Sequence, residues 1–141
     1  MHRAKVKSLE DRRIFLIEDD IVNLAVMGRL LSNNNAVVLQ NYNSIGIVVH
    51  VTQSLPIDLI LLDINLRRGI RGYEIIDQLR ADPLTAQIPV VAVTALDPET
   101  EIPKAKEKGF NGYISKPIDP VTFATDLVDI MNGHSKWVIS S

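Results

Sequence analysis

The chain has no cysteine in 141 residues, which excludes disulfides, thiolate metal sites and a cysteine nucleophile together and suits a cytoplasmic protein. It has almost no net charge: 15 basic residues against 17 acidic ones leave a formal −2, so nothing draws the whole chain toward nucleic acid or an anionic membrane. No apolar run approaches the roughly 20 residues that a bilayer-spanning helix needs. The start, Met1-His2-Arg3-Ala4-Lys5-Val6-Lys7, is basic but leads into Ser8-Leu9-Glu10-Asp11-Arg12-Arg13 and not into a signal-peptide apolar region. Internal repeats, low-complexity tracts and interdomain linkers are missing as well. His2, His50 and His134 have no metal-ligand spacing. What remains is a chain 46% apolar and 23% charged, enough for one globular domain with a sizeable core and too short for a second.

Apolar runs alternate with segments of helical period, the pattern of βα units that build a parallel sheet. Five strand runs stand out: Ile14 to Ile17, Ala36 to Leu39, Leu59 to Leu62, Val90 to Val93 and Gly112 to Ile114. Their near-continuous apolarity implies burial on both faces, hence helices on both sides of the sheet. The expected fold is α/β, a flavodoxin-like, doubly wound parallel sheet of five strands in the order 2-1-3-4-5. In the first helix, Ile21, Leu24, Ala25, Gly28 and Leu31 take the spacing of one face, with Gly28 allowing close approach to the sheet and Asp19 or Asp20 as cap. Ser44 to Ser54 is rich in β-branched residues, yet its place between two strand runs predicts a helix. Gly72 to Arg80 is amphipathic through Ile75, Ile76 and Leu79. Asp97-Pro98 and Asp119-Pro120 each read as an N-cap followed by proline at the first helical position. Pro103 inside the fourth helix predicts a short or irregular element there. Phe123, Ala124, Leu127, Val128 and Met131 give the last helix its core face, and Gly133 stops it.

The chemistry gathers at the strand ends. Glu18-Asp19-Asp20 follows the first strand, Asp63 the third, Thr94 ends the fourth, and Lys116 lies just beyond the fifth. In the expected order the first and third strands are neighbours at the switch point, where ligands of open α/β sheets bind, so Asp19 and Asp63 converge. Close carboxylates repel, and a hard divalent cation such as Mg²⁺ relieves the repulsion through oxygen ligands. A carboxylate is itself a nucleophile toward phosphorus, and an aspartyl phosphate needs surrounding positive charge, from Mg²⁺ and the Lys116 ammonium, with a hydrogen bond from the Thr94 hydroxyl. Taken singly, each residue has a plainer reading: a helix cap, a turn residue, a strand end, a solvated lysine.

The motifs FLIEDD at Phe15 to Asp20, LILLDINL at Leu59 to Leu66, IPVVAVTA at Ile88 to Ala95 and GYISKP at Gly112 to Pro117 resemble the receiver domains of two-component response regulators. The resemblance covers roughly Arg12 to Gly133. It implies a receiver domain over residues 12–133; the residues outside it read by themselves as a polar extension over 1–11 and a tail over 134–141 that frays or docks through Trp137. It further implies that Asp63 accepts the phosphoryl group and that Asp19 binds Mg²⁺ directly, with Glu18 acting through water and Asn65 through its backbone carbonyl. Thr94 and Ala95 resemble the switch position and its small neighbour, Tyr113 the aromatic switch residue and Lys116 the phosphate-pairing lysine, with the Lys116-Pro117 bond cis. Tyr113 reads equally as a core aromatic. The implied function is Mg²⁺-dependent phosphoryl transfer to Asp63 from a histidine kinase or histidine phosphotransfer protein, switching the affinity for a downstream effector protein. No direct nucleic-acid or membrane contact is expected, and a homodimer would form through the fourth helix, fifth strand and fifth helix. With no output domain in the sequence, the chain resembles stand-alone relay receivers. The alternatives are a Mg²⁺-dependent phosphohydrolase working through an aspartyl phosphate, against which stand the lack of a cap domain and of an acid at the position of Asn65, and a receiver-like scaffold that is never phosphorylated. The loop Leu66-Arg67-Arg68-Gly69-Ile70-Arg71-Gly72 lacks the family's proline and is one residue longer; its arginines form a solvated loop or a binding surface.

Overall fold

The computed structural model describes residues 5–41, 46–66 and 71–139. Strands β1 (Arg13–Ile17), β2 (Val37–Asn41), β3 (Leu59–Leu62), β4 (Val90–Thr94) and β5 (Gly112–Ser115) alternate with helices α1 (Ile21–Asn33), α2 (Ile47–Gln53), α3 (Gly72–Ala81), α4 (Pro98–Lys108) and α5 (Phe123–Met131), and a short β6 (Lys136–Val138) follows. All pairings are parallel, in the order β2-β1-β3-β4-β5-β6. The doubly wound order is as expected, but among the described residues the sheet has six strands and not five. Of the two readings of the tail, docking is the one observed: it lies beside β5, Tyr113 opposite Trp137 and Ile114 opposite Val138.

Strand alternation divides the core in two. Phe15, Ile17, Ile60, Leu62, Val90, Ala92 and Tyr113 face α2, α3 and α4, where Ile47, Val51, Ile75, Ile76, Leu79 and Ala105 meet them. Ile14, Leu16, Leu59, Leu61, Val91, Val93 and Ile114 face α1 and α5, against Leu24, Met27, Leu31, Phe123, Leu127 and Ile130. Val6 and Leu9 join this second layer, so the segment before β1, polar by composition, puts two apolar side chains into the core.

Several local readings change. The buried stripe of α1 is Leu24, Met27 and Leu31, while Ile21 is 74% exposed and Ala25 is exposed. A Cβ on Gly28 would meet Gln40 Oε1 at 3.7 Å, an ordinary contact, so no close approach demands glycine there. Asp20, not Asp19, caps the helix, accepting from the amides of Val22 and Asn23. β2 sits at the sheet edge and is only half-buried, which removes the two-sided burial expected of it. α2 is helical despite its β-branched residues, because Ile47 and Val51 fall one turn apart and are fully buried. α4 runs unbroken through Pro103 for 11 residues: Asp97 caps it, Pro98 starts it, Gly109 in the left-handed region ends it, and Pro103 itself faces solvent. α5 starts at Phe123 and not at Asp119-Pro120, because Asp119 Oδ1 first accepts from the Val121 amide and closes a turn.

Candidate functional site

Register builds the site. Ile17 lies opposite Leu62, so the next residues, Glu18 and Asp63, leave the sheet side by side, and the Asp63 amide donates to the Ile17 carbonyl at 3.0 Å. Thr94 lies opposite Ser115, and the Lys116 amide donates to the Thr94 carbonyl at 2.8 Å. The Lys116–Pro117 peptide is cis, as is Leu55–Pro56. Lys116 then reaches across β4 and β3: its Nζ donates to Glu18 Oε1 at 2.6 Å and to Asp63 Oδ2 at 3.1 Å. The other oxygen of Asp63 accepts from the Asn65 amide at 2.8 Å.

This cluster is almost dry. Glu18 is 0% exposed and Asp63 6% exposed, and Glu18 Oε2 is a buried oxygen with no hydrogen-bond partner. Burial first, then the neighbouring Asp63 carboxylate, push the Glu18 carboxyl up to about 7, with Lys116 pulling the other way. Burial lowers Lys116 in turn, but its bond to Glu18 and the charges of Asp63 and Glu18 outweigh that, and the ammonium is held above its usual range. Two buried carboxylates therefore share one cation.

Asp19 is half-buried beside Glu18, while Asn65 and Ala95 are exposed. Thr94 is buried, and its Oγ1 accepts from the Leu96 amide at 3.3 Å. Tyr113 is fully buried with its hydroxyl donating to the Leu96 carbonyl at 3.1 Å; it is thus both a core aromatic and a direct neighbour of the loop that carries Thr94. Burial, then Glu101, Asp97 and Asp63, push its hydroxyl up to about 12. Of the arginine loop, Arg67 and Arg68 lie outside the described residues; Arg71 is exposed and opens α3. Among the described residues, no three acidic or histidine side chains stand close enough together to hold a metal, and Lys116 bridges Glu18 and Asp63 directly. The donor chemistry still fits a hard cation: oxygen ligands only, and one buried carboxylate oxygen left without a partner.

Sequence reasoning missed the acid that Tyr73 holds. Tyr73 Oη donates to Glu101 Oε1 at 3.2 Å, and Glu101 is buried although it lies in the polar stretch PETEIPKAKEK. It missed β6 too, where Lys-Trp-Val-Ile carried a signal in its run of β-forming residues.

Residues 14–127 match the response regulator receiver domain family. The chain belongs to that family. It is 30% identical over 121 residues to protein PilH of Pseudomonas aeruginosa, a match spanning 86% of this chain and 98% of PilH, and 29% identical to the polar-differentiation response regulator DivK of Brucella anthropi over 79% of this chain and 89% of DivK. Longer relatives match in part only: the chain spans 24% of the response regulator PleD of Caulobacter vibrioides. A putative response regulator from Chloroflexus aurantiacus has the same fold, with a TM-score of 0.79 at 24% identity, covering 87% of this receiver and 99% of that chain. The receiver is a phospho-accepting module of two-component signalling, and family membership does not favour the phosphohydrolase reading. Among the described residues, no helix is long and apolar enough to cross a membrane. Response regulators as a class engage histidine kinases and downstream effectors, and receivers as a class bind Mg²⁺.

Proposed function

We propose that Asp63 is the phospho-acceptor, and that Glu18, Asp19, Asp63 and the Asn65 carbonyl hold Mg²⁺. The observation that carries this reading is the Glu18–Lys116–Asp63 cluster, a buried nucleophilic carboxylate with a cation at 3.1 Å and an unsatisfied oxygen beside it. An oxygen of Asp63 attacks the phosphorus of a phosphohistidine; the new P–O bond forms as the P–N bond breaks, and the electron pair leaves on the imidazole nitrogen. Bound Mg²⁺ would neutralise charge on the acidic cluster and on the phosphoryl oxygens. Lys116 leaves Glu18 to pair with a phosphoryl oxygen, a charge-assisted contact, and the Thr94 hydroxyl donates to another. Ala95, exposed beside Thr94, leaves room for the group. The motion of Thr94 and Lys116 biases the Leu96 loop and Tyr113, and through them the affinity for an effector protein.

The donor is a histidine kinase or histidine phosphotransfer protein. Exposed Val26 on α1 lines a groove of about 370 Å³ that reaches Lys116 and Pro117, and Ile21 and Val22 on the same helix are exposed as well, an apolar surface next to the acceptor. Residues 12–133 form the receiver, onto which 5–11 and 134–139 pack. A homodimer through α4, β5 and α5 has to include β6, which covers the edge of β5. The setting is the cytoplasm. Incubation with a phosphorylated histidine kinase and Mg²⁺ should load one acid-stable, base-labile phosphate per chain, and chelation of the metal should stop it. Sustained turnover of a small phosphate ester with no loaded intermediate would overturn the reading.

A further inference from the structure

Gly72 and Tyr73 open α3, nine and ten residues past the acceptor in the sequence. A Cβ on Gly72 would lie 2.4 Å from Ile64 Cα and 3.0 Å from the Asp63 carbonyl oxygen, so the first turn of α3 rests directly on the backbone of the acceptor and its neighbour. That backbone is tied to the acceptor's chemistry, since Asp63 Oδ1 accepts from the Asn65 amide at 2.8 Å, across Ile64. Loading a phosphoryl group on the carboxylate changes this bond and re-aims the segment that Gly72 touches.

The next residue leads to α4. The Tyr73 hydroxyl donates to Glu101 Oε1 at 3.2 Å, with the Glu101 carbonyl as a second acceptor at 3.4 Å, and the Tyr73 ring stands edge-on to Phe110 with centroids 6.2 Å apart. Glu101 is 8% exposed, and it also pairs with Lys104 at 3.6 Å, on the same helix. A buried carboxylate on α4 is therefore held to α3 by one hydroxyl, and an unsatisfied buried carboxylate is costly. Burial first, then Glu101, hold the Tyr73 hydroxyl well above its ordinary range, so it remains a donor. We infer that the Tyr73–Glu101 hydrogen bond transmits the state of Asp63 to α4 through Ile64 and Gly72, by a route separate from Thr94 and Tyr113. Tyr113 is bonded to the Leu96 carbonyl, one residue before Asp97, the cap of α4, whereas Tyr73 meets α4 at Glu101, so the two routes reach the helix at different points. Tyr73 is a positioning residue: it touches no phosphoryl group.

This inference rests on Asp63 as the acceptor, and the experiment separates the two. Backbone amide spectra of the full chain are recorded with and without beryllofluoride and Mg²⁺, a mimic of the aspartyl phosphate. In the wild type, amides near Asp63 and along Glu101 to Ala105 should shift together. In Tyr73→Phe, which keeps the ring against Phe110, the Asp63 and Thr94 amides should shift as before while the α4 shifts fall at least about twofold, the range expected for loss of a coupling contact. Glu101→Gln keeps an acceptor for the hydroxyl and should retain the α4 response. Full α4 shifts in Tyr73→Phe overturn the relay while leaving the acceptor in place, as does loss of the response in Glu101→Gln alone. No shift near Asp63 in the wild type overturns the acceptor assignment itself.

Discussion

Lys116 and Arg80 stand at opposite ends of the same parallel sheet, and each gathers oxygens around one cation. Arg80 sends Nη1 to the carbonyls of Ala86 and Ile88 and Nη2 to the Gly109 carbonyl and Asn111 Oδ1, all within 3.1 Å, at the N-terminal ends of β4 and β5. Its acceptors are neutral, and Asn111 Oδ1 in turn accepts from the Val90 amide. Lys116, at the C-terminal ends, serves two buried carboxylates and leaves Glu18 Oε2 with nothing. The Arg80 cluster locks two strands to α3 and to the loops before them. The Lys116 cluster holds charge that folding alone would not select, and an unsatisfied buried oxygen marks the end of the sheet where chemistry takes place.

Substitutions should pull the two clusters apart. Removing the cation from the acid site, Lys116→Met, leaves two buried carboxylates facing each other and should cost about 3 kcal/mol at neutral pH, read by urea unfolding. The same change at the other end, Arg80→Met, strands carbonyls that are partly wetted already and should cost about 2 kcal/mol, with phosphate loading unchanged. Neutralising a carboxylate in the acid site has the opposite sign: Asp63→Asn keeps an acceptor for the Asn65 amide and removes one charge, and should stabilise the protein by about 1 kcal/mol. If Asp63→Asn destabilised the chain as much as Arg80→Met, the contrast between the clusters would collapse. The smallest effect belongs to Asp126 on α5, a half-buried acid outside both clusters. Burial first, with Asp129 and Asp119, holds its carboxyl above the usual range against Lys136 and Thr122. Its protonated form thus favours the folded state, a contribution complete below the ordinary carboxylate range and lost as pH rises through the raised value. Asp126→Asn should gain about 0.5 kcal/mol or less at pH 7 and nothing in acid, measured by thermal melts across pH.

The two clusters also differ in how well the sequence announces them. Asp63, Glu18, Thr94 and Lys116 were legible because each ends or follows an apolar strand run, and a parallel sheet brings such ends together whatever the details of packing. Arg80 gave no signal, since an arginine late in an amphipathic helix reads as solvated until the loops it caps are seen in space. Glu101 was hidden for the same reason, a lone acid in a charged helix whose burial depends on a tyrosine 28 residues away. The tail was legible only as a segment that frays or docks, and its pairing as β6 was not foreseen: Trp137 packs on the core and Lys106 Nζ lies 5.0 Å over its ring. Helix starts failed where a side chain closed a turn first, as Asp119 does before α5.

The proposed role of Asp63 as the nucleophile of the acid cluster is tested most directly by phosphate loading of Asp63→Asn beside Arg80→Met and the wild type, from one phosphorylated histidine kinase with Mg²⁺. The wild type and Arg80→Met should take up acid-stable, base-labile phosphate at similar rates while Asp63→Asn, folded and at least as stable, takes up none. Base-labile phosphate on Asp63→Asn at the wild-type rate would contradict it.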